Sequence, residues 1–353
     1  MTGVERADVL VLGLGPAGAS AAAEAARRGA RVIALDRKRK AGRPVQCAEF
    51  VPAIVGIDVG DLAASTRQRI RSMLTFVEGG GPDVKEDFPG HMLDRAAFDA
   101  GLVAGAVAAG ADCRFGTGVR RIHSVGVAEL ADGTRIAAGA IVGADGPRSV
   151  AGRAIGQANT ALVETRQITV PLARPHTATD IHLSAGIPGG YGWMFPKGEV
   201  ANLGAGVDPA SRQRLKEIVA RLHASLVASG QVGSRILGLT GGPIPVGGML
   251  KPAGALGAAS VLLAGDAAGL ANPVTGAGIA AAVHSGRLAG EAAAARAAGD
   301  AAAGERYEEE LDDVFRVALD RAVRRRRELA AHRSPDGAAL RRGWIAYPEY
   351  WTT

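Results

Sequence analysis

The sequence predicts an α/β protein with a discontinuous Rossmann-like domain, an inserted strand-rich domain and a helical C-terminus. Three observations predict this fold class. The chain opens with a β-α-β pattern around a glycine-rich turn, between about Ala7 and Asp36. A second glycine-rich segment follows an apolar strand pattern near Val261, late in the chain. The pattern between them is mostly that of strands, so the two glycine-rich segments belong to one domain that an insertion interrupts.

The first β-α-β unit is predicted from its periodicity. A short apolar run from Ala7 to Leu12 predicts a buried strand. The alanine-rich segment from Pro16 to Arg28 predicts a helix that ends at Gly29. A second apolar run, from Arg31 to Leu35, predicts the next strand.

The remaining elements follow in chain order. We expect a polar loop (37–50), mixed strands to about residue 93, a helix (94–109), and a strand near Ile141 and Val142 that returns to the first sheet. Strands (167–207), a helix (210–229) and a strand (261–264) follow. The last predicted region, from Pro273 to about Arg333, is helical with a break near Gly299. We place the nucleotide-binding domain in residues 1–75, 94–165 and 255–300, the inserted substrate domain in residues 76–93 and 166–254, and the C-terminal helices with an aromatic tail in residues 301–353.

The composition indicates a globular protein in a reducing compartment. Of 353 residues, 47% are hydrophobic and 22% are charged, which excludes disordered and fibrous classes. The two cysteines, Cys47 and Cys113, build no disulfide framework and show no metal-ligand spacing. The net charge of +6 suits an anionic ligand or membrane surface and does not argue for nucleic acid. We find no pattern of a signal peptide or a membrane span, so we expect a cytoplasmic protein, with peripheral membrane contact as an option.

The first motif is the turn LVLGLGPAG, which predicts dinucleotide binding. Its glycines have the G-x-G-x-x-G spacing between a strand and a helix, which allows a tight turn, close approach of a pyrophosphate and helix–strand packing. Asp36, at the end of the next strand, is placed to accept hydrogen bonds from ribose hydroxyls. The alternative is a turn that needs glycine only for its geometry. The cofactor-binding residues expected here are Gly13, Gly15, Pro16, Ala17, Gly18, Asp36 and Arg37.

Two further motifs follow, IVGADGPRS with Asp145 and LLAGDAAGLANPVTGAGI with Asp266. Asp266 directly follows Gly265 at a strand end, where its carboxylate can hydrogen-bond a ribityl hydroxyl. The segment Gly276, Ala277 and Gly278 opens a helix whose N-terminal amides can face the pyrimidine edge of a flavin.

With three motifs in this order, the chain resembles the FAD-dependent oxidoreductases of the para-hydroxybenzoate hydroxylase fold group. The resemblance implies FAD as the cofactor and places Arg95, in LDRAAFD, near it. The alternative for Arg95 is a surface charge on a helix.

A fourth motif, PGGYGWMFPKG, resembles the P-x-x-Y-x-W-x-F-P signature of the geranylgeranyl reductase family. Members of that family use FAD to reduce isolated carbon–carbon double bonds of prenyl chains. In a strand Tyr191, Trp193 and Phe195 share one face, which makes an apolar wall. We expect these three residues and Pro196 to bind substrate, the alternative being a core face of the inserted sheet.

The segment RPVQCAE is similar to the cysteine-containing segment of the same family. Cys47 is therefore the candidate catalytic residue, with two readings. Its thiol either donates a proton to the carbon that becomes anionic after hydride addition, or only packs beside the ring system.

Two C-terminal features have more than one interpretation. The basic run from Arg321 to Arg333 is either a solvated helix face or a contact for phospholipid or a pyrophosphate group. The tail from Gly343 to Trp351 holds Trp344, Tyr347, Tyr350 and Trp351, too many aromatic rings to leave in water. We favour docking beside Tyr191 and Trp193, over a subunit interface or a membrane surface.

The function expected is that of an FAD-dependent oxidoreductase that reduces carbon–carbon double bonds of a hydrophobic, prenyl or isoprenoid-like substrate. The alternatives are a class A flavin monooxygenase that hydroxylates an aromatic or apolar substrate, and a non-catalytic FAD- or lipid-binding module. We find no second complete nucleotide-binding β-α-β unit, so the electron donor is either NAD(P)H visiting the same cleft or an electron-donor protein such as reduced ferredoxin.

We predict that the purified protein carries non-covalently bound FAD and that Asp266→Ala weakens its retention. The substitution removes a charge-assisted hydrogen bond, which is typically worth about 1.5–3 kcal/mol. Flavin absorbance after gel filtration measures the retained fraction. Retention equal to that of the unsubstituted protein would show that the late GD segment does not hold the cofactor.

Overall fold

The computed structural model describes residues 4–53, 62–332 and 334–352. The strands in chain order are β1 (Glu5–Leu12), β2 (Val32–Asp36), β3 (Phe50–Pro52), β4 (Thr66–Ile70), β5 (Ser72–Val77), β6 (Pro82–Lys85), β7 (Gly90–Leu93), β8 (Asp112–Phe115), β9 (Val119–Ile122), β10 (Val127–Leu130), β11 (Arg135–Gly143), β12 (Leu162–Pro171), β13 (Ala178–Leu183), β14 (Gly192–Lys197), β15 (Val200–Val207), β16 (Gly238–Thr240), β17 (Pro243–Pro245), β18 (Ala253–Leu256) and β19 (Ala259–Leu263).

The helices are α1 (Pro16–Arg27), α2 (Arg95–Ala108), α3 (Val150–Ala154), α4 (Leu215–Ala228), α5 (Ile279–Ala297), α6 (Ala303–Ala330), α7 (Gly337–Arg342) and α8 (Pro348–Trp351). Two 3₁₀ helices span Pro209–Arg214 and Gly265–Ala268. Among the described residues, no helix is both long and apolar enough to cross a bilayer.

The first sheet has the central order β18-β19-β11-β1-β2-β8, with the hairpin of β9 and β10 attached to β11. Strands β19, β11, β1, β2 and β8 are parallel neighbours. Leu12 lies opposite both Leu35 and Gly143, and Gly143 lies opposite Leu263. The carboxyl ends of four strands therefore meet at one edge, which is where parallel α/β sheets bind nucleotides.

Helices α1 and α5 approach each other closely on this sheet because both present small residues. A Cβ added at Gly286 would lie 2.2 Å from the carbonyl oxygen of Ala17, and one at Gly290 would lie 2.3 Å from that of Ala21. The buried residues of α1 are mostly alanines, so their side chains are also small enough for this close approach. Close packing fixes the first turns of α1 beside the middle of α5, with the two helices running in the same direction.

The second sheet has the order β16-β12-β15-β14-β13-β5-β6, with β17 paired to β12. Side chains alternate between its two faces. Met194 and Leu203 pack on one face against Ile218 of α4, whereas Trp193 and Phe195 belong to a different apolar cluster on the other face. A small third sheet, β3-β7-β4, lies beside that second cluster.

The predicted fold class is confirmed, including the return of the chain to the first sheet near Ile141. Two predicted helices are wrong at their starts. The segment 210–229 begins as a 3₁₀ turn and becomes α-helical only at Leu215. The last helical region begins at Ile279 and not at Pro273, because the Asn272 side chain accepts hydrogen bonds from the amides of Val274 and Thr275 and holds a loop there.

The last helical region ends slightly earlier than predicted. The break near Gly299 is present between α5 and α6, and α6 ends at Ala330. Arg333 lies outside the described residues. The domain boundaries stay a prediction, since the sheets define layers and not independently folding units.

Gly286→Ala should lower the free energy of unfolding by about 1–3 kcal/mol, because the added methyl group meets backbone and not a flexible side chain. The matched control is Gly101→Ala in α2, where nothing lies within 4 Å of the added Cβ. That control should be neutral or stabilising by up to about 1 kcal/mol. Urea unfolding measures both. Similar effects of the two substitutions would contradict the close approach of α1 and α5.

Candidate active site

A cavity of about 740 Å³ lies between the carboxyl edge of the first sheet and the apolar face of the second. It brings together most of the residues predicted from the sequence. Those that line it are Gly13, Gly15, Pro16, Ala17, Asp36, Arg37, Cys47, Arg95, Asp145, Tyr191, Trp193, Phe195, Asp266, Gly276, Ala277 and Gly278. Gly18, Gly265 and Pro196 are not among the lining residues.

The three glycines of the first turn have three different reasons to be glycine. Gly13 has a φ of +92°, and a Cβ there would lie 2.3 Å from the carbonyl oxygen of Ala144. Gly18 packs so closely on Gly13 that a Cβ would lie 1.8 Å from its carbonyl oxygen. Gly15 has nothing within 4 Å of an added Cβ and lines the cavity. The open space at Gly15, directly before α1, suits an anion at a helix N-terminus.

Asp36 is fixed beside that turn by two backbone amides. Its carboxylate accepts hydrogen bonds from the Leu14 amide at 2.9 Å and the Lys38 amide at 2.8 Å. Each carboxylate oxygen has a second lone pair, so acceptor capacity remains for ribose hydroxyls. Arg37 is exposed and lines the same end of the cavity.

Asp145 uses its carboxylate to hold a loop. It accepts hydrogen bonds from the Ser149 hydroxyl at 2.5 Å and the Val150 amide at 2.6 Å, which shape the start of α3. Burial raises the pKa of the Asp145 carboxyl, although these hydrogen bonds oppose the rise. The side chain therefore organises the backbone of the second motif at the cavity.

The carboxylate of Asp266, unlike that of Asp145, is not used to hold a loop. It lines the cavity, and no hydrogen bond from any part of the chain that the structure describes reaches its carboxylate. Burial raises the pKa of this carboxyl to about 6, against the effect of nearby Arg95. An acceptor with no partner among the described residues, in the cavity that also has open space at Gly15, fits a dinucleotide with ribityl hydroxyls. The residues present thus fit FAD.

The loop that carries Cys47 is held by the buried carboxylate of Glu49, which is 6% exposed. This carboxylate accepts from the Lys197 ammonium at 2.6 Å, the Asn202 amide at 2.9 Å and the Arg95 backbone amide at 3.0 Å. Glu49 has a φ of +70°, which is costly for a residue with a side chain. The three contacts stabilise the loop in this strained conformation.

Gln167 joins the same loop to the aromatic wall. Its side-chain amide donates to the Cys47 carbonyl oxygen at 3.1 Å, and its side-chain oxygen accepts from the Trp193 indole at 3.1 Å. Trp193 therefore has a fixed ring plane, and Cys47 has a fixed position relative to it.

Arg95 is not a surface charge, so that alternative is wrong. Its side chain is 13% exposed and pairs with Asp99 at 3.0 Å. Burial disfavours the guanidinium charge, but Cys47 and Asp99 outweigh burial and hold the pKa of Arg95 above its ordinary value. The guanidinium thus pairs with Asp99 and is close enough to the Cys47 sulfur and to Asp266 to interact electrostatically with both.

The predicted aromatic wall continues beyond the strand in both directions. Tyr191 and Trp193 have ring centroids 5.7 Å apart, and Trp193 and Phe195 are 6.3 Å apart. The Tyr191 hydroxyl donates to the carbonyl oxygen of Thr275 at 2.6 Å, which ties the wall to the third motif. The neighbouring rings that extend it are Phe50, Phe88 and Trp344. Pro196 alternates to the opposite face of β14 and does not reach the cavity.

The favoured docking of the C-terminal tail is confirmed for its first half. The Trp344 ring lies 4.8 Å from Tyr191 and is 3% exposed. The second half packs instead on α6, where buried Arg325 donates to the carbonyl oxygens of Glu349 and Tyr350. Trp351 is 56% exposed.

The basic run in α6 is more than a solvated face. Arg325 is 5% exposed and binds the tail. Arg326 pairs with Asp208 at 2.5 Å and lines the cavity. Arg324 and Arg327 are exposed.

Sequence reasoning missed Glu49, Gln167 and Asn202. A polar residue such as Gln167 within an apolar strand is a weak sign of an inward polar contact, but its partner is set by sheet register, which the sequence does not specify. Apart from its position two residues after Cys47, no feature of the sequence around Glu49 indicated that this side chain holds the loop.

The chain is similar in sequence to known proteins. A family profile described as "Alanine dehydrogenase/PNT, C-terminal domain" matches residues 1–80, the region of the first β-α-β unit. Digeranylgeranylglycerophospholipid reductase 1 of Methanopyrus kandleri is 35% identical over 295 residues, 76% of this chain and 75% of that protein. The namesake from Methanothermobacter thermautotrophicus is 33% identical over 77% of this chain and 73% of that protein. The chain belongs to the geranylgeranyl reductase family.

Solved structures agree with this family. A geranylgeranyl bacteriochlorophyll reductase-like protein from Thermoplasma acidophilum has a TM-score of 0.84 and 26% identity, covering 96% of this chain and 90% of that one. A probable FAD-dependent monooxygenase from Pseudomonas aeruginosa has a TM-score of 0.70 and 20% identity, over 95% and 98% of the two chains, and shows the fold alone. As a member of the geranylgeranyl reductase family, the chain is an FAD-dependent oxidoreductase.

We predict that the stability of the apoprotein depends on pH through Asp266. Its pKa is raised from 3.8 to about 6 by burial, so its contribution to stability is fully present below pH 3.8 and is lost as the pH rises through about 6. Asp266→Asn should therefore stabilise the apoprotein by about 3 kcal/mol at pH 8 and little at pH 4.

The control for this experiment is Asp313→Asn on the exposed face of α6. Chemical unfolding of the apoprotein at both pH values gives the free energies of unfolding. A stabilisation by Asp266→Asn that is the same at pH 4 and pH 8 would contradict the role of burial.

Proposed function

We propose that this protein reduces carbon–carbon double bonds of a prenyl or isoprenoid-like chain held against the aromatic wall beside FAD. The observation that carries the proposal is the continuity of one cavity, which has Gly15, Asp36 and Asp266 at its polar end and Trp193 and Phe195 at its apolar end. The relatives named as lipid reductases support the substrate class.

The polar end provides the groups that FAD needs. The turn at Gly13 and Gly15 with the N-terminus of α1 would hold the pyrophosphate, and Asp36 would hold the adenosine ribose. Asp266 would hold the ribityl chain, and the N-terminus of α5 would face the pyrimidine edge. When bound, FAD supplies two-electron hydride transfer.

The chain's own residues then position the substrate and deliver the proton. The wall excludes water from the alkene, and Gln167 keeps Trp193 in one orientation. Cys47 would hold a proton at its Sγ atom and give it to the alkene carbon that does not receive hydride. Arg95 lies where its charge would stabilise the sulfur after that proton has left.

The electron donor is proposed to be NAD(P)H entering the same cavity or a reduced ferredoxin. Peripheral membrane contact is a second proposal, which the exposed Trp351 supports. The ring of Trp351 is covered on one side by the Arg321 guanidinium at 5.3 Å, a pairing of aromatic and basic groups that suits an anionic bilayer surface.

The test separates the two half-reactions in anaerobic holoenzyme. Enzyme reduced by dithionite should be reoxidised by geranylgeranyl diphosphate, and the product should gain two hydrogens by mass. Gain of one oxygen under air would instead support the monooxygenase. Failure of NADPH, NADH, dithionite and reduced ferredoxin to reduce the flavin would support a non-catalytic module.

Trp193→Ala should slow reoxidation by substrate about tenfold or more and change flavin reduction by the donor less than about threefold. The reason is that Trp193 lies on the substrate side of the cavity, while the donor needs only access to the flavin. Stopped-flow absorbance measures both steps, with exposed Trp351→Ala as the control. Equal losses in both steps would identify Trp193 as a core residue only.

A further inference from the structure

The apolar face of the second sheet is longer than the cavity that lies on it. On β13 the cavity is lined by Thr179 and Ile181 but not by Leu183, the next residue on that face. On the parallel neighbour β5 it is lined by Met73 but not by Val77. Leu183 and Val77 are both buried in the same apolar cluster. The cavity therefore stops partway along a face that continues.

The side chain of Trp344 lies at the point where the cavity stops. Its ring is 4.8 Å from that of Tyr191, which directly precedes β14, and its indole nitrogen lies 3.4 Å from the sulfur of Met73 on β5. The sheet order is β14-β13-β5, so this one side chain crosses three neighbouring strands. Trp344 lines the cavity, and Leu340, one helical turn earlier on α7, packs in the cluster with Val77 and Leu183.

Several contacts keep Trp344 in this position. Arg341 and the Tyr347 hydroxyl both donate to the Asp83 carboxylate on β6, at 3.0 and 2.6 Å. Buried Arg325 of α6 holds the carbonyl oxygens at the end of the tail. Because the residues before and after Trp344 are attached to the body of the protein, the indole acts as a fixed wall.

We propose that Trp344 determines the length of the isoprenoid chain that the cavity accepts. This inference rests on the proposed function, since it assumes that the apolar end of the cavity holds the hydrocarbon. A chain that runs along Trp193 and Phe195 gains contact with each added isoprene unit until it reaches the indole. Removing the indole lengthens the cavity toward Leu183 and Val77 by the volume that this side chain occupies.

The experiment measures binding to the oxidised holoenzyme by calorimetry, without an electron donor. The probes are geranyl, farnesyl, geranylgeranyl and geranylfarnesyl diphosphate, which differ by one isoprene unit each. In the unsubstituted enzyme, Kd should fall with length and then stop falling. Trp344→Ala should move this plateau by at least one isoprene unit, with the longest probe gaining about tenfold in affinity relative to the shortest. The value of kcat/KM over the same series should show the same dependence on chain length.

Leu340→Ala is the matched control, because it removes a buried side chain one helical turn before Trp344 that does not line the cavity. It should leave the dependence on length unchanged. Trp344→Phe keeps an aromatic ring, should fold if Trp344→Ala does not, and should shift the plateau in the same direction by less.

An unchanged plateau in Trp344→Phe and Trp344→Ala, or an equal loss of affinity for every probe, would overturn the role of Trp344. A plateau that moves equally in Leu340→Ala would overturn it as well. If the unsubstituted enzyme neither binds these probes nor is reoxidised by them, the proposed function itself fails.

Discussion

The buried carboxylate of Glu49 is the interaction on which the geometry of the site depends. It accepts hydrogen bonds from the Lys197 ammonium on β14, the Asn202 side-chain amide on β15 and the Arg95 backbone amide at the start of α2. The two strands belong to the second sheet and α2 does not, so one charged group sets the position of the Cys47 loop relative to both the aromatic wall and Arg95. A buried charge with three donors is tolerated, whereas one that loses a donor is costly. We therefore regard Glu49 as a positioning residue.

The cavity that results has a strong gradient in polarity. Carboxylates and helix N-termini lie at the sheet edge, and six aromatic rings in successive contact, from Trp344 to Phe88, line the apolar part. Such a cavity can hold a charged dinucleotide and an apolar chain at once without exposing either to the environment that suits the other. Gln167 and Arg95 lie at the boundary between the two ends.

Local features of this fold could be predicted from the sequence, and most long-range polar contacts could not. The turn at Gly13 and the helix after Asp94 are encoded by residues within a few positions, and the structure has both. Pro196 was assigned to the substrate from a motif, but strand alternation turns it away. The docking of the tail beside Tyr191 was predicted, but the contacts of Glu49 with Lys197 and Asn202 were not, because they join residues far apart in the chain that only the tertiary fold brings together.

The close packing of α1 on α5 also has a consequence for synthesis of the chain. The first β-α-β unit leaves the ribosome long before β11, which pairs with β1 in the sheet, and before α5, which covers α1. Until then the alanine-rich surface of α1 and one edge of β1 lack their native partners, and contacts of such high sequence separation form slowly. A nascent chain of this protein therefore has a long interval in which chaperones can bind its N-terminal segment.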